Sequence, residues 1–423
     1  LEEHTTTPAE SEVESAAPGF RLRTFSSLRH VNYRYLWSST VLMSAGQWIQ
    51  QVTLGWLLYD LTGSAVLLGA LNGVRALPFL VAGPIAGVAA DRTDRKKLML
   101  NTQYVLIVTA IGMGILVAAG HLQPWHLFVF TLITGVAWAF NEPVRQSLVP
   151  GMVPKSELMN AVALNSIGFN LNKVVGPALG GVLIAAFGAA GNFFVQSAAY
   201  AGVLAMIFLM DVPPATDEAR KSSALANLKE GFAYVWSNPT VFALMAAAYV
   251  PRVFAVPYQT LMPVFQKDVL GVGPEGLGLL MAAPGAGAVL AVLVLASQAH
   301  SFRRKGLLLL WSLMFLGAFL ILFSRTTSFP LALLALLGIG WFQITFMATT
   351  NTMLQLLVPD ALRGRVMSLY MLDRGLMPAG ALMAGVTAHV AGAPATVAMM
   401  GGIVIVLAAV VAWRVPVLRK IMT

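Results

Sequence analysis

Long runs of apolar residues, each interrupted by a short polar or charged cluster, set the pattern of this 423-residue chain. From Arg34 onward the runs fall near 34–60, 66–90, 98–119, 124–147, 161–188 and 191–211, then near 240–266, 274–299, 306–325, 328–355, 365–391 and 395–413. Each is long enough to cross a ~30 Å hydrocarbon core as a helix. The pattern predicts an all-α membrane protein with twelve transmembrane helices. Residues 1–19 carry Glu2, Glu3, Glu10, Glu12 and Glu14 among Thr, Pro and Ala, with almost nothing to bury, and are expected to be a disordered tail. That tail starts with Leu, as a processed start would, and lacks the apolar core of a signal peptide. Residues 212–239, between the two sets of runs, mix Asp217, Glu218, Arg220, Lys221, Lys229 and Glu230 with Leu225, Leu228, Phe232 and Trp236. This segment predicts a linker with a helix lying on the membrane surface. The remaining boundaries are 20–211 for a first bundle and 240–423 for a second.

Composition agrees: 57% of residues are hydrophobic and 11% charged, against about 25% charged in soluble domains. The net charge of +9 does not point to nucleic acid, because the Lys and Arg residues are scattered through short loops and not gathered on one folded face. Sorted by alternate loops, Arg21, Arg23, Arg29, Arg303, Arg304, Lys305, Arg363, Arg365, Arg419 and Lys420 share a side with the 87–97 loop. The opposite side holds Lys267 and Arg325. That bias puts both termini in the cytosol. The chain has no Cys, no His pair with metal-site spacing, and no phosphate loop or hydrolase elbow. No enzyme activity, cofactor or metal is expected, and ATP-driven pumping by this chain alone is disfavoured.

The two sets of runs look like one unit repeated. Asp60 and Asp268, and Gln51 and Gln259, are each separated by 208 residues. The segment QSLVP at Gln146–Pro150 recurs as QLLVP at Gln355–Pro359, and Arg95-Lys96 as Arg304-Lys305, both at a separation of 209. Lys173-x-x-x-Pro177-Ala178 recurs as Arg374-x-x-x-Pro378-Ala379 at 201. Two pseudo-symmetric six-helix bundles with a substrate cavity between them are the expected architecture.

The stretch GVAADRTDRKK at Gly87–Lys97 resembles the loop between the second and third helices of the major facilitator superfamily. Gly87, Asp91, Arg92, Arg95 and Lys96 fill its positions, while Asp94 replaces the usual Gly and Ala89 the usual Leu. Asp tolerates left-handed backbone, so a tight turn is expected to survive at Asp94. The resemblance implies a conformational latch whose ionic contacts hold the outward-facing state. The run from Val149 to Gly181, with Lys173 ahead of Gly176-Pro177-x-x-Gly180-Gly181, and the segment VPDALRGRV at Val358–Val366, resemble the drug and siderophore exporters grouped around the enterobactin exporter. That likeness covers nearly the whole chain outside the tail. It implies a secondary active exporter of amphipathic small molecules, drug-like compounds or siderophores, working as a monomer by proton antiport and alternating access. The alternatives are a proton-coupled uptake symporter and a lipid or lysolipid flippase. A membrane sensor would want a soluble domain.

Polar side chains within membrane helices are costly and therefore informative. Gln47 and Gln51 share one face of the first helix, as cavity lining or as helix-to-helix glue. The seventh helix brings Arg252, Tyr258 and Gln259, with Pro251, Pro257 and Pro263 breaking its ladder. Arg75 is either a cavity residue or a snorkelling one. By family analogy Trp138, Trp341, Gln343, Lys173 and Arg374 also face the cavity. Asp373 and Glu142 are the acids well inside spans and hence the candidate proton carriers. Asp373 is favoured, because Glu142 is expected to pair with Arg145 as part of the gate.

Overall fold

The computed structural model describes residues 25–212, 224–297, 304–371 and 375–414, and every regular element in them is helical. Lipid offers no partner to a bare backbone group, so a chain this apolar satisfies its N–H and C=O groups within helices. Helices α1 (Val31–Thr62), α2 (Ala65–Arg92), α3 (Arg95–Ala118) and α4 (Pro124–Met152) follow one another through short connections. Helix α5 (Leu158–Leu209) has 52 residues, ~78 Å if straight. It doubles back at Gly188, whose φ of 68° and ψ of 175° belong to a region that is essentially glycine's alone. The reversal lets the Asn192 amide donate to the Gly180 carbonyl, twelve residues earlier, at 3.3 Å.

The second half runs through α6 (Ala224–Ser237), α7 (Pro239–Phe254), a 3-10 turn (Val256–Leu261), α8 (Met262–Val264) and a π turn (Phe265–Val269). It continues with α9 (Pro274–Ser297), α10 (Lys305–Arg325), α11 (Phe329–Leu357), α12 (Asp360–Met371), α13 (Met377–Ala391) and α14 (Ala393–Arg414). The succession of α, 3-10 and π geometry between Phe254 and Val269 follows from Pro257 and Pro263, each of which removes a backbone donor. Nine segments among the described residues are long and apolar enough to cross a membrane. In that tally α5 counts once, α13 is too short, and α1 is diluted by Gln47, Gln50, Gln51 and Asp60.

The halves meet where α5 crosses α9 and α2 crosses α13. Both crossings are made by glycines, which let backbones approach. A Cβ on Gly278 would sit 2.6 Å from the Pro177 carbonyl oxygen, and one on Gly181 would lie 2.8 Å from Gly278 Cα. Across the other crossing, a Cβ on Gly69 would lie 2.6 Å from the Ala381 carbonyl oxygen. Beside these crossings Lys267 Nζ lies 2.7 Å from Asp60, and the Tyr59 hydroxyl donates to Asp268. One hydrophobic core therefore runs through the second half and into this end of the first, from Leu54 and Tyr59 to Leu244 and Leu336. The far end of the first half has a core of its own around Tyr33, Met43, Leu148 and Tyr200. Its ties stay within a half: Arg29 and His30 pair with Glu157, and Arg365 pairs with Glu230 of α6. The molecule is closed across its halves at the Asp60 end.

The 87–97 loop is shorter than its sequence suggests. Helix α2 extends through Arg92 and α3 begins at Arg95, leaving Thr93 and Asp94 as the connection. Asp94 is not left-handed. Its φ is −61°, and its carboxylate caps α3 by accepting from the Lys96 and Lys97 amides at 2.9 and 3.2 Å, so an N-cap, not a tolerated turn, explains Asp at that position. Gly87, Asp91 and Arg92 lie in the last turns of α2, with side chains outside the described part. Asp373 and Arg374 lie outside the described residues, as do the tail at 1–19 and the linker at 213–223.

Candidate functional site

Three cavities adjoin one another, the first and third between the halves and the second within the first half. The largest, about 300 Å³, is walled by Trp48, Gln51, Asn72, Arg75, Gln259 and Met281, among others. Its volume falls at the lower edge of small-molecule sites. A second, of about 40 Å³, lies beyond Arg75 and Phe79 and is bounded by Gln47, Gln50, Thr131, Thr134 and Trp138. The third, about 10 Å³, lies behind Trp48 and Gln259 and reaches Lys173 and Pro284. Arg75 thus belongs to two walls, as do Trp48 and Gln259.

Each side chain is placed by its helix. Gln47 and Gln51 are one turn apart on α1, and Gln47 and Gln51 both reach cavity walls. Gln50, between them, serves packing: its amide donates to Thr134 at 3.1 Å, and its oxygen accepts from Gln196 at 2.9 Å. Arg75 lies ten residues into α2, ~15 Å along the axis. That depth, with its place on two cavity walls, sets Arg75 apart from a residue at the helix end. Lys173 lies midway between Leu158 and the Gly188 reversal. Arg252 of α7 stands near enough to Lys173 for the two charges to act on each other. Among the described residues, neither Arg75 nor Lys173 has a hydrogen bond or ion pair.

Other expected residues fall elsewhere. Tyr258 is 1% exposed and packs edge-on against Phe323, ring centroids 6.3 Å apart, inside the second half. The irregular backbone after Phe254 breaks the helical register from which a cavity position was expected. Trp341 and Gln343 are half-buried on α11 and border none of the three cavities. The expected Glu142–Arg145 pair is not formed. Arg145, 4% exposed, turns inward: Nε donates to Asn141 at 2.6 Å, and Nη1 to Ser39 at 2.7 Å and Thr40 at 3.1 Å. Glu142 is exposed and accepts from Gln146 at 2.8 Å. Lys96 donates to the Phe208 and Met210 carbonyls at 2.9 and 2.8 Å, satisfying the end of α5 within its own half.

The sequence reading missed Trp48, Asn72 and Phe79. Trp48 has the plainest claim to the wall: its indole N–H is buried without a partner. Its place next to Gln47, mid-span and far from either interface, was the available signal.

A family model described as a transmembrane secretion effector matches residues 22–421. The chain is 27% identical over 375 residues to the staphyloferrin A transporter of Staphylococcus aureus, covering 87% of this chain and 92% of that one. It is 26% identical over 388 residues to the multidrug efflux pump Tap of Mycolicibacterium fortuitum, covering 89% and 94%. With the enterobactin exporter EntS of Escherichia coli it shares 28% identity over 315 residues, 73% and 70% of the two chains. Among solved structures, a bacterial homologue of the human lysosomal transporter Spinster superposes with a TM-score of 0.70 at 16% identity, over 93% of this chain and 98% of that one. At that identity the likeness concerns the fold, which is the all-helical fold described above. The chain belongs to the transmembrane secretion effector family of the major facilitator superfamily: it is a multi-pass membrane transporter and not an enzyme.

Proposed function

We propose that the protein is a monomeric exporter of amphipathic small molecules, drug-like compounds or siderophores, from the bacterial cytoplasm across the inner membrane by proton antiport. Export is the activity named for its relatives EntS and Tap. The observation that carries the reading is the cavity between two halves that touch through glycines at one end only. Glycine crossings can part and re-form as the bundles rock, which alternating access requires. In this reading the units are six-helix bundles at 20–211 and 240–423, twelve spans in all, joined by the cytoplasmic segment 212–239. With the termini and the 93–94 connection in the cytosol, the Asp60–Lys267 contact seals the outer face and the cavity faces inward.

Proton coupling needs a carboxylate that changes charge between the two states. Asp373 remains the first candidate by position. Glu142 gains ground, since it is not locked to Arg145. In proteoliposomes, Asp373→Asn is expected to abolish uphill transport driven by a pH gradient while keeping downhill exchange. If only Glu142→Gln does so, the carrier is Glu142. If both variants still concentrate substrate, coupling through a membrane carboxylate is wrong.

A further inference from the structure

The cavity walls are short of acceptors. Arg75 and Lys173 are basic side chains with no hydrogen bond or ion pair among the described residues. Trp48 adds a buried N–H with no acceptor. Among the described residues, no Asp or Glu borders any of the three cavities. An ionised group held mid-membrane without a partner is costly. Two such groups, Arg75 of α2 at the large chamber and Lys173 of α5 at its small neighbour, call for a compensating partner from outside the chain.

We infer that the central cavity is an organic-anion site, in which a carboxylate of an amphipathic substrate lies between Arg75 and Lys173. It rests on the reading of this cavity as the transport site. Arg75 borders the 300 Å³ chamber and Lys173 its small neighbour, and Trp48 borders both. A guanidinium gives a carboxylate a two-pronged partner, an ammonium gives it a point charge, and the indole N–H of Trp48 supplies a further donor. Phe79, Met281 and Met377 offer the apolar part of the ligand soft, adaptable walls. A cationic ligand would meet like charge from α2 and from α5, at a cost that grows as water leaves.

The rule can be tested with two dyes that share a xanthene scaffold: fluorescein, which carries a carboxylate, and the cationic ester rhodamine 123. Binding of each to the purified full-length protein is measured by fluorescence anisotropy. Fluorescein is expected to bind at least tenfold more tightly. Arg75→Gln and Lys173→Gln are each expected to weaken it by roughly ten- to a hundredfold, the loss of one charge-assisted contact. Arg75→Lys and Lys173→Arg should stay within a few-fold, which separates lost charge from lost folding. Equal or tighter binding of rhodamine 123, fluorescein affinity unmoved by both Gln changes, or no binding of either dye overturns the inference. If a Gln variant does not fold, the wild-type preference still decides. Fluorescein that binds with this charge dependence but is not carried across proteoliposomes would refute the transport reading and leave the anion site standing. Rhodamine 123 carried regardless of Arg75 and Lys173 would do the reverse.

Discussion

Arg145 shows what a single buried charge demands of its neighbours. Spaced three residues from Glu142 on one helix, it looked set for an ion pair. It has instead a cradle of neutral acceptors, Asn141, Ser39 and Thr40, because an inward-turned guanidinium on α4 meets α1 while Glu142 faces out. Asn141 also donates to Thr102 on α3 at 2.5 Å, so its amide ties α4 to α3 while the guanidinium it supports ties α4 to α1. Asn141→Leu would strand Arg145 Nε and remove the Thr102 contact, and is expected to cost about 1–3 kcal/mol, read as a lowered unfolding temperature in detergent. At this scale the sequence was readable where polarity alone is informative. Gln47, Gln51, Arg75, Lys173 and Gln259 do border the cavities. It was unreadable where a residue suits core and cavity equally: Phe79 lines the cavity walls and Tyr258 does not, and nothing in an apolar run distinguishes them.

The helices themselves were largely visible, since a membrane span must be both long and apolar. Boundaries were not. The charges at 91–97 look like a loop, yet α2 continues to Arg92 and α3 starts at Arg95, because a helix needs no apolar residues once it emerges into water. The glycines carried more than spacing could say. Gly188 reverses the chain within a continuous helical assignment, and Gly278 brings two backbones together. Gly278→Val must push α9 away from Pro177 on α5, which destabilises the state closed at the Asp60 end. In this Cys-free chain, Gln51→Cys is expected to react several-fold faster with an impermeant maleimide added to intact cells when Gly278→Val is also present. An unchanged rate would mean that the Gly278 crossing does not hold the closed state.

For the whole molecule, the main lesson is the contrast between the ends. A shared core, two glycine crossings and the Asp60 and Asp268 contacts join the halves at one end, while every described tie at the other end stays within a half. None of this could be read from hydrophobic pattern, which reports spans but not how far apart they stand. The repeat separation hinted at the partners without saying that they touch. Tyr59-Asp60 and Lys267-Asp268 hold each other crosswise: each half gives a carboxylate to the other and takes a donor from it. Such mutual exchange is how two copies of one subunit meet about a two-fold axis. The join between the halves thus has the form of an isologous dimer contact written into a single polypeptide. A covalent link is then a convenience of synthesis and not a requirement of assembly. Two polypeptides, one ending at residue 212 and the other starting at 224, are expected to find each other in the membrane when co-expressed and to co-purify as a transport-competent pair, with Gly278→Val sharply reducing their recovery.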